Sequence, residues 1–226
     1  MPHPVELTIG YRFRNPQLLQ RAMTHSSWAN EKGLGHSGCN ERLEFLGDSV
    51  LGFVTADFLY ESFPNLPEGM LTKFRAELVC EQALSEVAAE LCLGDALLLS
   101  KGEERSGGRT RPSMTADSVE ALIAALYLDG GFETAAGFIH RYILTPKRTA
   151  GIGHDCKSEL QELVQREKDH ILSYRLMGEE GPDHDKRFRV AVYLDETLIG
   201  EGTGTSKKRA EQAAAGNALE QLKKKP

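Results

Sequence analysis

The apolar residues change period part-way along the chain, and this limits the fold to a helical part followed by a mixed one. Up to about Thr145 they recur at intervals of three and four: Leu43, Leu46, Val50, Leu51 and Val54; Leu84, Val87, Ala88 and Leu91; Val119, Leu122, Ile123 and Leu126. That spacing is the stripe of an amphipathic helix. Gly- and Pro-rich breaks at 33–38, 63–69 and 101–112 separate the helices, with Asn40 and Thr115 as expected N-caps. Further on, Phe188, Val190, Val192 and Leu194 alternate as in a half-buried strand. The second part therefore reads α-β-β-β-α. It has a helix from Cys156 to about Lys168, strands Leu172–Gly178, Arg187–Asp195 and Thr197–Thr203, and an alanine-rich helix from about Ser206 to Leu222. Asp195-Glu196 forms a tight turn and Ser206 a helix cap. The expected organisation is multidomain: an all-α domain over 1–145, a polar Gly/Pro-punctuated linker over 146–154, and an α+β domain over 155–226.

Composition excludes several classes. With 40% hydrophobic and 27% charged residues in 226, the chain is an ordinary globular one. No apolar run approaches the ~18–20 residues of a membrane span. Met1–Glu6 lacks the basic and apolar regions of a signal peptide, so a cytoplasmic location is expected. Cys39, Cys80, Cys92 and Cys156 form no CxxC pair and no zinc spacing, and read as reduced thiols. The net charge of −6 argues weakly against a nucleic-acid partner. That average hides the arrangement. Before Gly153 there are 14 Lys and Arg against 19 Asp and Glu; from His154 onward there are 13 against 14, including the runs Lys207-Lys208-Arg209 and Lys223-Lys224-Lys225.

The acids of the first domain are its most informative feature. Glu41, Glu44 and Asp48 fall at i, i+3 and i+7, within an arc of roughly 60° on a helix turning about 100° per residue. Three carboxylates on one stripe repel, and a surface helix is better served by Glu and Lys four apart. Asp117 and Glu120 form a second i, i+3 pair at the start of an apolar helix. If the two helices pack together, four or five carboxylates line one pocket, which suits magnesium and metal-assisted phosphodiester hydrolysis. Taken alone, Asp117 and Glu120 are more simply explained as complements to a helix N-terminus. Taken alone, the Glu41–Asp48 stripe fits a solvated face equally well. Gly47, beside Asp48, costs roughly 1 kcal/mol of helix propensity relative to Ala, which makes sense if another helix or a substrate approaches closely.

The run NERLEFLGDSVL at Asn40–Leu51 resembles the signature of ribonuclease III, the double-stranded-RNA endonuclease. Similar to that family, too, are IGYRF from Ile9, THSS from Thr24, PEGMLTKFRAELV from Pro67, KGEERSGGR from Lys101 and TADSVEALIAALYLDGG from Thr115. In the second domain KSELQELVQ from Lys157, GPDHDKRFRVAV from Gly181 and SKKRAEQAAAGNAL from Ser206 resemble a double-stranded-RNA-binding domain. The resemblance implies magnesium, with Mn2+ as a substitute, held by Glu44, Asp117 and Glu120. It implies that Asp48 and Glu120 are the catalytic positions most sensitive to substitution, and that Glu41 and Glu68 are further acids of the cleft. It also implies a homodimer through the endonuclease domain, 5′-phosphate and 3′-hydroxyl products with short 3′ overhangs, and processing of structured precursors such as ribosomal RNA. Val119 and Ala124 depart from the family pattern at helix-packing positions only.

Duplex RNA offers a readable minor groove and a major groove bounded by phosphates. Gln161 and Gln165, four apart with Glu162 beside them, suit 2′-hydroxyls; Pro182-Asp183-His184 resembles the family's second minor-groove probe. Lys207, Lys208 and Arg209 open the last helix, where N–H groups also favour phosphate. The Lys223–Lys225 run reads as a solvated terminus. Arg105, Arg109 and Arg111 stand either as phosphate contacts near the cleft or as solubilising loop charge. Two other function classes compete. A duplex-RNA-binding regulator with an acidic scaffold leaves the full acid set unexplained. A small-molecule phosphohydrolase leaves the second domain unexplained.

Overall fold

The computed structural model describes residues 3–149, 156–165, 170–181, 186–204 and 206–224. The chain divides into two compact units, Met1–Ala150 and Gly151–Pro226.

The first unit is helical: α1 (Pro4–Ile9), α2 (Pro16–Ala22), α3 (Ser26–Glu31), α4 (Glu41–Ser62), α5 (Glu68–Val79), α6 (Glu81–Glu90), α7 (Leu93–Ala96), α8 (Lys101–Arg105), α9 (Pro112–Gly130), α10 (Phe132–Tyr142) and α11 (Pro146–Thr149). Its centre is α9, where every residue from Ala121 to Leu126 is buried. A helix apolar on all sides belongs inside a core, and α2, α4, α6 and α10 pack around it. Val119 and Ala124 are both completely buried there. The Cβ that any other residue would add at Gly47 of α4 would overlap the carbonyl group of Glu120 in α9. The helices therefore touch backbone to backbone at the level of the acids.

Two sequence expectations are corrected here. Thr115 does not cap α9. The helix starts at Pro112, with Pro at its first position, and Thr115 is already internal, its hydroxyl donating to the Arg111 and Pro112 carbonyls. Proline fits that start because its missing N–H would have no intrahelical partner. Residues 146–149, expected as linker, instead form α11. Its Arg148 reaches back to the carboxylates of Glu86 (3.2 Å) and Glu90 (2.8 Å) on α6.

The second unit contains α12 (Cys156–Gln165), β1 (Leu172–Glu180), β2 (Arg187–Leu194), β3 (Thr197–Gly204) and α13 (Lys207–Lys224). The strands form one antiparallel sheet in the order β1-β2-β3. Asp195 supplies the left-handed residue of the tight β2–β3 turn (φ 55°). Leu160, Val164, Val190, Val192 and Ile199 form the core with Ala210, Ala214, Ala215, Ala218 and Leu219 of α13. On the helix-facing side of β3, Gly200 and Gly202 leave no room for a Cβ against the α13 backbone at Ala214. Alanines on the helix and glycines on the strand together permit that close approach.

Candidate active site

The stripe on α4 and the pair on α9 converge. Glu44, Asp117 and Glu120 each offer a carboxylate oxygen, and the three oxygens lie within 4.8 Å of one another, all half-buried. Oxygens on opposite sides of a magnesium ion are ~4 Å apart, given Mg–O bonds of about 2.0–2.1 Å, so the spacing and donor type fit such a cation. Asp48, which is exposed, acts on both Glu44 and Glu120, and exposed Glu41 acts on Glu44. The alternative for Asp117 and Glu120, a helix-terminus role, loses its basis. Because α9 begins at Pro112, its first turn carries no acid, and the dipole effect fades beyond that turn.

The cluster is electrostatically frustrated. Burial, then Asp48, Glu44 and Asp117, push the Glu120 carboxyl up to about 8. Burial, then Asp117, Glu41 and Asp48, raise Glu44. Burial and Glu81 raise Asp117, while His25 acts in the opposite direction. A carboxyl group whose folded-state value lies above its ordinary 4.5 binds more protons folded than unfolded between those limits. The stability that Glu120 contributes to the metal-free protein is then fully present below about pH 4.5 and is lost as pH rises through about 8. Between about pH 6 and 8, where ordinary carboxyl groups are already ionised, the melting temperature is expected to fall with pH, and to flatten in the Glu120→Gln variant or on adding a divalent cation. A midpoint equally insensitive to pH in wild type and variant would contradict this account.

In the second unit Leu160 and Val164 of α12 are buried, and Gln161 and Gln165, about 100° round the helix from them, are exposed. Lys207 and Lys208 are exposed in the first turn of α13. Glu179 bridges two lysines, Lys186 (2.8 Å) and Lys207 (3.6 Å), and Lys207 also lies over the Phe188 ring. Pro182, Asp183 and His184, the side chain of Arg209 and those of Lys223–Lys225 lie outside the described residues.

Residues 15–147 match the Ribonuclease-III-like family and residues 156–222 the Double-stranded RNA binding motif. Ribonuclease 3 of Oceanobacillus iheyensis is 45% identical over 97% of this chain and 97% of its own length. The chain belongs to the ribonuclease III family. Ribonuclease 3 of Pelotomaculum thermopropionicum is 49% identical over 93% of this chain and 89% of its own. The nuclease domain of ribonuclease III from Campylobacter jejuni, a structure described for flexibility in a region involved in dimer formation, matches with a TM-score of 0.60 at 40% identity. It covers 66% of this chain and 98% of that one. As a ribonuclease III family member the chain is an endoribonuclease with a double-stranded RNA binding motif.

Glu68 and two loop arginines that the sequence singles out have local partners in this ribonuclease III domain. Glu68, the first residue of α5, is exposed and accepts a hydrogen bond from the Thr72 hydroxyl (2.7 Å) on its own helix. It is not among the groups that act on Glu44, Asp117 or Glu120. Arg109 is a structural staple. It donates to the carbonyls of Gly94, Asp95 and Leu97 at the end of α7 and pairs with Glu104. Arg111 is held by Glu103 (2.8 Å) and the Ser106 hydroxyl (2.9 Å). Both arginines thus serve to close the 101–112 loop instead of standing free for phosphate. Sequence reading passed over His25 and Glu81, which act on Asp117, and Lys186, which shares Glu179 with Lys207.

Proposed function

We propose that this endoribonuclease cleaves double-stranded RNA in a magnesium-dependent reaction, with Mn2+ able to replace Mg2+. The proposed products carry 5′-phosphate and 3′-hydroxyl ends with short 3′ overhangs. The observation that carries the reading is the convergence of α4 and α9 carboxylates in a chain that also bears an RNA-binding motif. Glu44, Asp117 and Glu120 would hold the cation, which supplies Lewis-acid polarisation of the phosphoryl group and an activated water. Glu120 would join the donor set as a carboxylate, so binding of the cation would release its proton to solvent. Asp48, at the exposed edge, orients the attacking water by accepting its hydrogen bond. Glu41 and Glu68 are assigned to the wider acidic cleft.

The proposed assembly is a homodimer through the helical unit. Phe45 (79% exposed), Phe53 (61%) and Tyr60 (70%) project from α4 into solvent, and such side chains favour burial against a second copy. The proposed substrates are structured precursors such as ribosomal RNA, and the proposed location is the cytoplasm. No described helix is long and apolar enough to cross a membrane.

Gln161, Gln165 and His184 are proposed to read the minor groove, and Lys207 and Lys208 to meet phosphates. Replacing both lysines by alanine is expected to weaken duplex binding and to make the dependence of log affinity on log salt shallower by about one per lysine. Salt titrations of both proteins measure this, and parallel slopes would remove the lysines from the phosphate contacts. The function as a whole is tested by incubating the protein with a long RNA duplex. Short double-stranded products are expected only when Mg2+ is present. RNA that stays intact under those conditions would favour a regulator that binds without cutting.

A further inference from the structure

Resting on the reading of Lys207 as a phosphate contact, we propose that Lys186 and Lys207 form one phosphate site for duplex RNA, and that Glu179 occupies this site until RNA displaces it. The Glu179 carboxylate divides its two oxygens between two cations. Oε2 pairs with the Lys186 ammonium at 2.8 Å, and Oε1 with that of Lys207 at 3.6 Å. A phosphate group likewise presents anionic oxygens side by side, and lysine meets it as a point charge. Lys207 also lies over the Phe188 ring, 5.9 Å from its centroid, which restricts where its ammonium can sit. The Lys207 side chain is still 61% exposed, so an incoming phosphate can reach it. Lys186 first, then Lys207, hold the Glu179 carboxyl below its ordinary range.

The acid reaches this face through an irregularity in β1. Leu172 and Tyr174 pack against the core beneath α13, so even-numbered positions of β1 face the helix. Simple alternation would put residue 179 on the outer face. The register with β2 shifts between Leu176 and Gly178, which leaves Met177 out of the pairing. Beyond the shift Glu179 lies opposite Phe188, and Phe188 packs against the same core. One extra residue in a strand exchanges its two faces. Here it carries a carboxylate to the face where α13 begins, with Lys207 as the first helical residue. Exposed ion pairs of this kind are weak. The RNA phosphate can therefore replace the carboxylate, at the cost of affinity for every polyanion.

Filter binding of a long RNA duplex across a salt series, in EDTA so that no cleavage is expected, measures the effect. Glu179→Gln keeps the size of the side chain and removes its charge. Duplex binding is expected to tighten by about threefold to tenfold at low salt, the scale of one or two exposed ion pairs. The plot of log affinity against log salt is expected to steepen by about one. Adding Lys186→Ala to that variant is expected to cancel the gain and to return the slope by about one. Glu180→Gln removes the same charge from the neighbouring exposed position, on the other face of the strand, and is expected to leave the slope unchanged. Glu179→Gln protein with wild-type affinity and slope would overturn the proposal, and so would weaker binding by that variant. An equal gain in Glu180→Gln, or a gain that survives Lys186→Ala, would overturn it too. A Lys207→Ala variant whose salt slope parallels wild type would instead overturn the phosphate reading of Lys207 beneath it.

Discussion

Glu120→Gln is expected to leave duplex RNA bound but uncut, with cleavage slowed by at least about 10³-fold, roughly 4 kcal/mol of barrier. Glutamine keeps the shape of the side chain and removes one anionic oxygen donor from the set formed with Glu44 and Asp117. RNA binding is expected to persist because the proposed contacts Gln161, Gln165, Lys207 and Lys208 lie in the other compact unit. The same substitution is expected to raise the melting temperature above neutral pH. It removes a charge that burial and three neighbouring acids resist, a resistance that holds the Glu120 carboxyl near 8. Activity and stability should move in opposite directions, as they do where a site is built from mutually repelling groups. Cleavage assays, filter binding and melting curves on one preparation test all three parts. Cleavage by this variant at the wild-type rate would remove Glu120 from the reaction.

Gly47→Ala should be strongly destabilising although helix propensity points the other way. In an exposed helix interior, alanine in place of glycine is worth about 1 kcal/mol in favour of the substitution. Here the added methyl would overlap the Glu120 carbonyl group. That atom belongs to the backbone of a fully packed helix and cannot rotate aside. Forcing α4 from α9 is expected to cost about 3 kcal/mol or more, the upper part of the range for overpacking. Cleavage is expected to fall as well, even below the melting transition, because Glu44 and Glu120 ride on the two helices being separated. Denaturant unfolding gives the sign directly. A variant as stable as wild type would mean that the helices can slide apart without loss.

Much of the chain was legible from periodicity. The switch from three-and-four spacing to alternation separated a helical unit from an α-β-β-β-α one because helix and strand expose side chains with different periods. The strand limits moved little: β1 ends at Glu180 rather than Gly178, and β3 at Gly204 rather than Thr203. Positions where the chain ends a helix through distant contacts were less legible. Thr115 has the right chemistry for a cap, yet α9 starts earlier at Pro112. Residues 146–149 look like a linker until Arg148 meets Glu86 and Glu90 some sixty residues back.

The site divides in the same way. Glu41, Glu44 and Asp48 share a helix, so their common face follows from 100° per residue and was readable from sequence alone. Nothing local relates them to Asp117 and Glu120. That relation is set by Gly47, whose missing side chain lets α4 lie against the Glu120 backbone. Arg109 and Arg111 mark the opposite case: arginines in a glycine-rich loop look available for phosphate, and only the folded loop shows their donors spent on carbonyls and on Glu103 and Glu104. Which residues carry charge, and which faces of each helix and strand they share, follow from the order of residues alone, because covalent geometry over a few residues sets them. Which charges meet depends on the packed fold, because long-range packing sets the distance between residues 44 and 117.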